Sequence, residues 1–344
     1  MEIDNTTNSE ITRQIIPNRI FIVPYRNRLE QKFFYSKQMS FILEDETDYE
    51  IYFAHQCDNR NFNRGATKNI GFLAMKEKYP DDYKNITFIF NDVDTLPFNK
   101  IFDYQTTKGI VKHYYGFEYA LGGIVVIKGD DFEKINGFPN FWGWGNEDKI
   151  LQIRCEQNRV RIDRSQFYKI GSPEILQLFD GVKRLITPKE YYLGNNDSGI
   201  DGLSSITRLT FSIDKESLNT NDNKYVVDNN RISIINILSF LTGIGYEQNA
   251  YYEYDLRDPT NKILNPNNKP TNQRVVKTED WKNIGYQPKQ QQQQQQKQQL
   301  RTQSVPLQVP QHINKYSAEY ARYVGAKPRA STSANIYLGG VRRF

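Results

Sequence analysis

The sequence predicts an α/β fold in which helices cover a sheet with parallel neighbouring strands. Compact runs of β-branched and aromatic residues predict buried strands over 19–25, 49–56 and 86–94. Apolar residues at helical spacing lie between these runs, over 29–43 and 64–78. Strands that alternate with helices in this order are typical of an α/β sheet, whose ligands bind at the carboxyl ends of the strands.

The elements after residue 98 are more mixed. Residues 122–129 (GGIVVIKG) predict a strand, and a short helix with an acidic start follows over 130–135. A loop rich in glycine and tryptophan over 137–146 leads into a helix over 147–157. Residues 228–240 predict one more strand.

The composition excludes two broad classes of protein. With 38% hydrophobic and 25% charged residues, the 344-residue chain is too apolar to be wholly disordered and too polar to span a membrane. Its two cysteines, Cys57 and Cys155, cannot form a secreted disulfide framework and favour free thiols in a reducing compartment. The first ten residues are polar and do not resemble a signal peptide. We therefore predict a cytoplasmic protein that is not secreted and has no membrane span.

Composition and charge divide the sequence into three regions. A polar leader is expected over 1–18, a globular domain over 19–260, and a low-complexity basic tail, mostly disordered, over 261–344. The tail contains the glutamine run 290–296, which cannot bury apolar surface against its ordering entropy. Residues 281–344 carry a net charge of +9, which leaves −4 on the rest of the chain. The tail has the charge of a nucleic-acid anchor but no recognised binding module, so a nucleic-acid partner is not expected.

Two carboxylates, Asp92 and Asp94, leave the third predicted strand in the sequence NDVD. At the carboxyl end of a strand, such oxygens can bind a divalent cation beside a diphosphate. A solvated acidic turn is the alternative, because short acidic triplets are common by chance. The apolar strand before the triplet and Pro97 after it favour the cation site.

The sequence WGWGNED, residues 142–148, places two tryptophans among glycines directly before Glu147 and Asp148. Tryptophan faces stack on the apolar side of sugar rings or on bases, and glycines permit the loop to move. The predicted helix N-terminus favours ionised carboxylates. A movable aromatic loop that ends in carboxylates suits a general base acting on a sugar acceptor. A core-packing tryptophan loop with an acidic helix cap is the alternative.

Two further clusters carry positive charge near predicted strand and helix ends. Arg26 and Arg28 follow the first strand and can contact a phosphate or a base edge, with a solvated charged turn as the alternative. Asn63 and Arg64 open a predicted helix, whose N-terminal amides can help to bind a nucleotide. The sequence contains no P-loop, dinucleotide fingerprint, metalloprotease or serine-hydrolase motif. It has only three histidines, which argues against a histidine triad or a zinc site.

In this order, the four motifs resemble those of the β-1,4-galactosyltransferase family (glycosyltransferase family seven). The matching segments read PYRNR, FNRGATKNIGF, FNDVD and GGIVVIKGDDFEKINGFPNFWGWGNED, and DGLSSI at 201–206 is similar to a further family element. The resemblance implies a GT-A fold, which is a Rossmann-like mixed sheet flanked by helices. It also implies a UDP-sugar donor, Mn²⁺ as cofactor, and inverting transfer to a sugar hydroxyl of a glycan or glycoprotein. The excess of asparagine and glutamine suggests a large DNA virus or an AT-rich protist as the source. A viral protein would be expected in the host cytoplasm or the virion.

The same resemblance implies roles for individual residues. Asp148 would be the catalytic base, with Glu147 beside it, and Asp94 and Asp180 would bind the metal ion. Trp144 would close over the donor. The acceptor-binding residues would be Gly145, Asn146, Glu147 and Asp148. The donor-binding residues would be Pro24, Tyr25, Arg26, Asn27, Arg28, Phe62, Asn63, Arg64, Asp92, Val93, Asp94, Ala120 and Trp144.

Three departures from the family pattern bear on activity. No histidine occupies the family's metal-binding position, and Asp180 is the only carboxylate that the sequence offers there. Ala120 stands where the family has a donor-selecting tyrosine, unless the alignment slips by one and Tyr119 takes that place. Asn146 and Lys149 replace a glycine and an acid. Two functions are therefore predicted as alternatives. One is Mn²⁺-dependent transfer of a hexose or N-acetylhexosamine, and the other is a catalytically inactive glycan-binding or virion-associated structural protein on the same scaffold.

Overall fold

The computed structural model describes residues 16–215 and 230–257. The strands of these residues are β1 (Arg19–Tyr25), β2 (Tyr49–Gln56), β3 (Thr87–Asn91), β4 (Thr95–Pro97), β5 (Ile110–Gly116), β6 (Ile124–Lys128), β7 (Arg161–Asp163), β8 (Tyr168–Lys169), β9 (Ile175–Gln177), β10 (Lys183–Ile186), β11 (Thr207–Lys215), β12 (Ile232–Leu241) and β13 (Tyr252–Asp255). The α-helices are α1 (Leu29–Ile42), α2 (Arg64–Lys78), α3 (Gly129–Lys134), α4 (Glu147–Gln157) and α5 (Pro188–Asn195).

A nine-stranded mixed sheet forms the centre of the described fold. Its order is β11-β12-β2-β1-β3-β6-β5-β7, and β8 also pairs with β5. β12, β2, β1 and β3 are parallel to one another, whereas β6 is antiparallel to both β3 and β5. The pairs β4–β9 and β10–β13 are small antiparallel sheets outside it. The predicted α/β fold with a mixed sheet and flanking helices is therefore confirmed.

Helix α2 lies against β1 and β2, and two glycines let it approach its neighbours closely. A Cβ atom at Gly71 would lie 2.4 Å from Cγ2 of Ile22 in β1, so only glycine permits this approach. A Cβ atom at Gly65 would lie 2.1 Å from the carbonyl oxygen of Pro139. The Asn63 side chain accepts a hydrogen bond from the amide of Ala66 and caps the helix. The first turn of α2 is thus held against the segment that leads to the tryptophan loop.

Aromatic side chains fill the space between the sheet and α2 and α3. The ring centres of Phe90 and Phe132 lie 4.4 Å apart, and those of Phe72 and Phe88 lie 4.8 Å apart. Phe138 packs edge-on against Phe90, which ties the loop after α3 to the third strand. This packing gives the loop a rigid support at its start.

Most predicted elements match the observed ones to within one or two residues at each end, and two strands differ more. The strand predicted over 86–94 ends at Asn91, because residues 92–94 form a turn that carries the acidic residues. The strand predicted over 228–240 is observed as Ile232–Leu241. The C-terminal tail and most of the polar leader lie outside the described residues, so the three predicted regions stay predictions. No helix within 16–215 and 230–257 is both long and apolar enough to cross a membrane.

Candidate active site

The ends of two strands and the starts of two helices meet at one edge of the sheet. β1 and β3 are parallel neighbours, so the segments 26–28 and 92–94 leave the sheet on the same side. α2 begins at Arg64 and α4 begins at Glu147, and ion pairs join both helix starts to this edge. The carboxyl ends of parallel strands are where ligands bind in such sheets. The four predicted motifs therefore meet at one edge of the sheet.

Arg64 lies at the centre of this site and binds three carboxylates. Its Nη2 donates to both carboxylate oxygens of Asp92, at 2.8 and 2.7 Å. Its Nη1 donates to Oε1 of Glu147 and to Oδ1 of Asp148, at 2.8 Å each. Burial alone would lower the pKa of Arg64, but the three carboxylates outweigh it and hold that pKa well above its usual value. One positive charge therefore faces three negative ones.

Lys68 supplies a second positive charge one turn further along α2. Its side chain is fully buried, and its Nζ lies 3.3 Å from Oδ1 of Asp92 and 3.8 Å from Oδ1 of Asp148. The ammonium also lies 4.7 Å from the ring centre of Phe138. It forms no hydrogen bond with any other described residue. We call Arg64, Lys68, Asp92, Glu147 and Asp148 the charge cluster.

The cluster shifts the pKa values of two of its carboxyl groups in opposite directions. Burial would raise the pKa of Asp92, but Arg64 and Lys68 outweigh burial and lower it to about 2. Burial and the neighbouring Asp148 raise the pKa of Glu147 in spite of Arg64. Oε2 of Glu147 is buried and has no hydrogen-bond partner within the described part of the chain. Asp92 is thus firmly ionised, whereas the second oxygen of Glu147 is enclosed without a partner among the described residues.

Asp94 lies in a strongly negative environment that suits a cation. Burial, Asp92 and Asp180 together raise the pKa of Asp94 to about 7. Its Oδ1 accepts a hydrogen bond from the Thr95 hydroxyl at 3.1 Å, and it forms no ion pair with any described residue. An unpaired carboxylate repelled by two others fits one ligand of a divalent cation.

Asp180, the second predicted metal ligand, already has a positive partner. Its carboxylate binds Nη2 of Arg184 through both oxygens, at 2.9 and 2.7 Å, and its carbonyl oxygen accepts from Arg28 at 2.5 Å. Within the described residues, no three histidine, cysteine, aspartate or glutamate side chains form a group that could hold a metal ion. Asp94 alone fits, so most ligands of a bound ion would have to come from a substrate and from water.

The Asp148 carboxylate fits closely against a glycine of the turn before β6. A Cβ atom at Gly122 would lie 2.4 Å from Oδ2 of Asp148, and the amide of Leu121 donates to the Asp148 carbonyl oxygen at 2.9 Å. His113, in β5, is buried beneath this turn and contacts the carbonyl oxygens of Tyr115 and Gly122 through Nε2. His113 therefore supports the turn and is not placed as a metal ligand.

The two tryptophans of the WGWGNED segment have different surroundings. Trp142 is buried, stacks on Phe240 at 5.4 Å between ring centres, and donates from its indole to the Ile244 carbonyl oxygen at 3.0 Å. Trp144 is 49% exposed and lies parallel to the ring of Tyr254 at 6.3 Å. Trp142 therefore matches the alternative of a core-packing tryptophan, whereas Trp144 faces solvent and could contact a sugar.

Glu190, in α5, holds the start of the tryptophan loop in place through hydrogen bonds. Its carboxylate accepts from the amides of Trp142 and Gly143, at 2.9 and 2.7 Å, and from the hydroxyl of Tyr251 at 2.8 Å. Gly145 (φ +108°) and Asn146 (φ +70°) then turn the chain into α4 through the left-handed region. The predicted acceptor-binding residues Gly145 and Asn146 therefore form the bend that presents Glu147 and Asp148.

The predicted donor-binding residues outside the charge cluster lie around the end of β1. The guanidinium of Arg26 lies 5.3 Å from the ring centre of Phe62, and its Nη1 donates to the Arg60 carbonyl oxygen at 2.5 Å. Burial lowers the pKa of Arg26. The Asn63 side chain is occupied by its helix cap and by the carbonyl oxygen of Asn140. Of the remaining predicted residues, Asn27 is exposed, whereas Pro24, Tyr25 and Val93 are buried.

Ala120 lies in the turn that approaches Asp148. It is 7% exposed, and its carbonyl oxygen accepts from the amide of Gly122. Tyr119, the residue before it, is 63% exposed and stacks on Phe117 with ring centres 5.2 Å apart. The ring of Tyr119 thus points to solvent, whereas Ala120 faces the protein.

Sequence reasoning missed three residues that shape this site. Lys68 follows Arg64 at the helical spacing of four residues, so the predicted helix alone could have placed both cations on one face. Gly122 could have been noted as the first of the two glycines that open the strand predicted over 122–129. No local signal points to Glu190, because its partners are more than 40 residues away in the chain.

Two family models match adjacent parts of the chain. The model described as the N-terminal region of glycosyl transferase group 7 matches residues 14–107. The model described as the N-terminal domain of galactosyltransferase matches residues 108–177. Together they include most of the candidate site, from the end of β1 to the start of α4.

Curated relatives show the same similarity over a limited length. Human β-1,4-galactosyltransferase 4 is 35% identical over 156 residues, which are 42% of this chain and 44% of that protein. A xylosylprotein 4-β-galactosyltransferase of Caenorhabditis elegans is 31% identical over 182 residues, 49% of this chain and 61% of that protein. Bovine β-1,4-galactosyltransferase 1 is 29% identical over 230 residues, 60% of this chain and 54% of that protein. The chain thus spans about half the length of the curated relatives it matches.

Solved structures show the same fold. The catalytic domain of Drosophila β-1,4-galactosyltransferase 7 in complex with xylobiose matches with a TM-score of 0.50 at 20% identity, over 65% of this chain and 94% of that one. A mutant of that enzyme in complex with manganese, UDP-Gal and xylobiose matches with a TM-score of 0.51 at 21% identity, with the same coverage. The described fold is therefore the GT-A fold. In sequence, the chain is similar to members of the β-1,4-galactosyltransferase family, glycosyltransferase family seven.

The prediction of a cytoplasmic, non-secreted protein is wrong. The family comprises Golgi-type enzymes, which are usually lumenal or secreted. The prediction relied on the polarity of the first residues and on two free thiols. Cys57 is exposed and Cys155 is buried, and neither needs a reducing compartment to stay unpaired. The relatives named above are animal proteins, and a viral source stays a prediction.

Proposed function

We propose that this protein is an inverting glycosyltransferase that moves a hexose or N-acetylhexosamine from a UDP-sugar to a sugar hydroxyl. The observation that carries the proposal is the charge cluster, which places the Asp148 carboxylate beside the acidic turn containing Asp94. A general base for the acceptor and a cation-binding carboxylate for the diphosphate are the two groups that such a transfer needs. The Drosophila complex with manganese, UDP-Gal and xylobiose supports this assignment by family and fold.

The proposed donor site extends from the end of β1 to the acidic turn. Arg26 and Phe62 present a cation and an aromatic face to the uridine and its phosphates. Asp94 would hold Mn²⁺, which when bound supplies positive charge to the departing diphosphate. Asp180 would join it only by exchanging its ion pair with Arg184.

The proposed acceptor site lies beside α4. Gly145 and Asn146 line the bend at which an acceptor glycan or glycoprotein would bind. The exposed face of Trp144, directly before this bend, suits a sugar ring and is proposed to close over the donor. Arg64 binds Oδ1 of Asp148 and orients its carboxylate. Asp148 removes the proton of the acceptor hydroxyl as that oxygen attacks the anomeric carbon from the face opposite the diphosphate.

Replacing Asp94 with asparagine is expected to change activity and stability in opposite directions. Mn²⁺-dependent transfer should fall at least about 100-fold, because the cation loses its protein ligand. The metal-free protein should become more stable at pH 8, by roughly 1–3 kcal/mol, because a buried carboxylate repelled by Asp92 and Asp180 is removed. Transfer assays with and without Mn²⁺, together with thermal unfolding, measure both effects.

Asp81→Asn is the matched control, since it makes the same change at an exposed residue. Mn²⁺ should raise the melting temperature of the wild-type and Asp81→Asn proteins but not that of Asp94→Asn. Transfer at the wild-type rate by Asp94→Asn without metal would contradict the proposed role of Asp94.

For the donor sugar, we expect UDP-N-acetylhexosamines to be used at least as well as UDP-galactose. Ala120 lacks the ring that would exclude an N-acetyl group at C2, and its partly enclosed turn approaches Asp148. Ala120→Tyr should shift the preference towards UDP-galactose, and Tyr119→Ala, at the exposed neighbouring position, should not. Transfer rates of the wild-type, Ala120→Tyr and Tyr119→Ala proteins with a panel of UDP-sugars test whether residue 120 selects the donor. A strict preference for UDP-galactose that is unchanged in Ala120→Tyr would show that residue 120 does not select the donor.

A glycan-binding protein without catalysis is the second candidate function, and one observation favours it. Asp180 is bound to Arg184, so the described residues offer one free carboxylate for a metal ion. Calorimetry of UDP with and without Mn²⁺ separates the two functions. An enzyme should bind UDP more tightly with Mn²⁺, whereas a glycan-binding protein that has lost its metal site should bind glycans but show no such dependence.

A further inference from the structure

Lys68 is a buried charge to which the proposed reaction gives no role. Its side chain is fully enclosed, yet its ammonium forms no hydrogen bond with any residue that the structure describes. A buried ammonium is costly unless nearby charges compensate it. The nearest carboxylate oxygens are Oδ1 of Asp92, at 3.3 Å, and Oδ1 of Asp148, at 3.8 Å. The placement of Lys68 therefore depends on these two carboxylates.

We propose that Lys68 is a positioning residue for Asp148, whose Oδ1 it holds together with Arg64 so that Oδ2 is left to receive the acceptor proton. This inference rests on the proposed function, because it assigns Asp148 as the base. It adds a residue that touches neither the donor nor the acceptor and acts through Asp148.

The geometry supports different roles for the two oxygens of Asp148, one held by cations and the other left for the acceptor proton. Oδ1 receives Nη1 of Arg64 at 2.8 Å, but this nitrogen is shared with Glu147. Lys68 approaches the same oxygen from the next turn of α2. Oδ2 lies on the other side, over Gly122, where the missing side chain leaves it room. Two cations thus contact Oδ1, whereas Oδ2 accepts no hydrogen bond from any residue that the structure describes.

The charges around Asp148 explain why one cation would not suffice. From α2, Arg64 and Lys68 face it, and from the turn after β3, Asp92 adds a negative charge. Glu147 adds another from α4. From β5, His113 contributes no charge near neutral pH, because burial and Arg164 lower its pKa to about 4. Without Lys68, the single charge of Arg64 would be divided among three carboxylates.

Lys68→Met tests the proposal, because methionine keeps a long apolar side chain against Phe138 and removes the charge. Protonation of Asp148 should become easier, so the acidic limb of the kcat/KM profile should move to higher pH by roughly 1 unit. The rate at pH 6 should fall about 10-fold, whereas UDP affinity at pH 8 should change less than about twofold. Lys76→Met, on the same helix but paired with Glu133 outside the cluster, should leave the profile unchanged.

An NMR titration tests the role of Lys68 without requiring sugar transfer, so its result does not depend on the proposed function. The ¹³C carboxyl signal of Asp148, assigned by its loss in Asp148→Asn, should titrate roughly 1 pH unit higher in Lys68→Met than in Lys76→Met. If the wild-type protein transfers no sugar, the proposed function fails, and this signal still decides the role of Lys68. A signal and an acidic limb that do not move would overturn the inference. Lys68→Gln, which is uncharged but polar, serves the same test if Lys68→Met does not fold.

Discussion

Replacing Asp148 with asparagine is expected to lower sugar transfer by roughly 10²–10⁴-fold. The amide is nearly the same size as the carboxylate and its oxygen can still accept from Nη1 of Arg64, but the side chain cannot take the acceptor proton. UDP affinity should change little, because the donor site proposed around Arg26, Phe62 and Asp94 is left intact. Initial rates of transfer and calorimetry of UDP measure the two quantities in the same preparation.

Asp81→Asn again serves as the control for this substitution, and its transfer rate should match that of the wild-type protein. A loss of UDP binding in parallel with the loss of transfer in Asp148→Asn would show that Asp148 maintains the structure of the site. It would then not be the base, and the proposed mechanism would need another acceptor of the proton.

Replacing Arg64 with methionine is expected to have the largest effect on stability. It leaves Asp92, Glu147 and Asp148 without their shared partner, and breaking a buried ion pair in this way costs about 3–5 kcal/mol. Urea unfolding at pH 7 measures the loss. Arg161→Met, which removes an exposed arginine, should change the free energy of unfolding by less than about 0.5 kcal/mol.

The effect of Arg64→Met should depend on pH in a definite direction. In the wild-type protein the pKa of Asp92 is lowered to about 2, so its ionised form stabilises the fold above the unfolded value near 4, and this contribution is lost as the pH falls towards 2. The variant lacks this contribution. The difference in stability between the two proteins should therefore be largest near pH 7 and shrink below about pH 4. A difference that stays constant from pH 7 to pH 3 would contradict the electrostatic role of Arg64.

The sequence predicts the first half of the fold well because its signals there are local. β1 and β2 are compact apolar runs, and α2 begins and ends where the spacing of its apolar residues predicts. The turn at Asp92 and Asp94 could be located but not interpreted. Its two carboxylates look equivalent in the sequence, yet Asp92 is bound by Arg64 while Asp94 has no ion pair among the described residues. That difference depends on a helix 28 residues away in the chain.

Contacts between distant segments account for what the sequence could not predict. Trp142 and Trp144 are two residues apart, and only the arrival of Phe240 and Ile244 from the far end of the domain makes the first a core residue. Asp180 is an exception, because its partner Arg184 is only four residues away, and residue types alone do not show that the two form an ion pair. Local patterns therefore identified the candidate residues, and long-range packing determined which of them are free.

The position of β12 has a consequence for the order in which the protein is made. β12 pairs with β2 from Ile232 opposite Ile51 to Ile237 opposite Gln56, so β2 gains its second neighbour only from a late part of the chain. On the ribosome, β2 must wait as an open, largely apolar sheet edge until residue 241 has emerged. Such edges pair readily with other chains. The nascent protein is therefore most vulnerable to aggregation after the residues of its proposed active site have been synthesised and before its sheet can close.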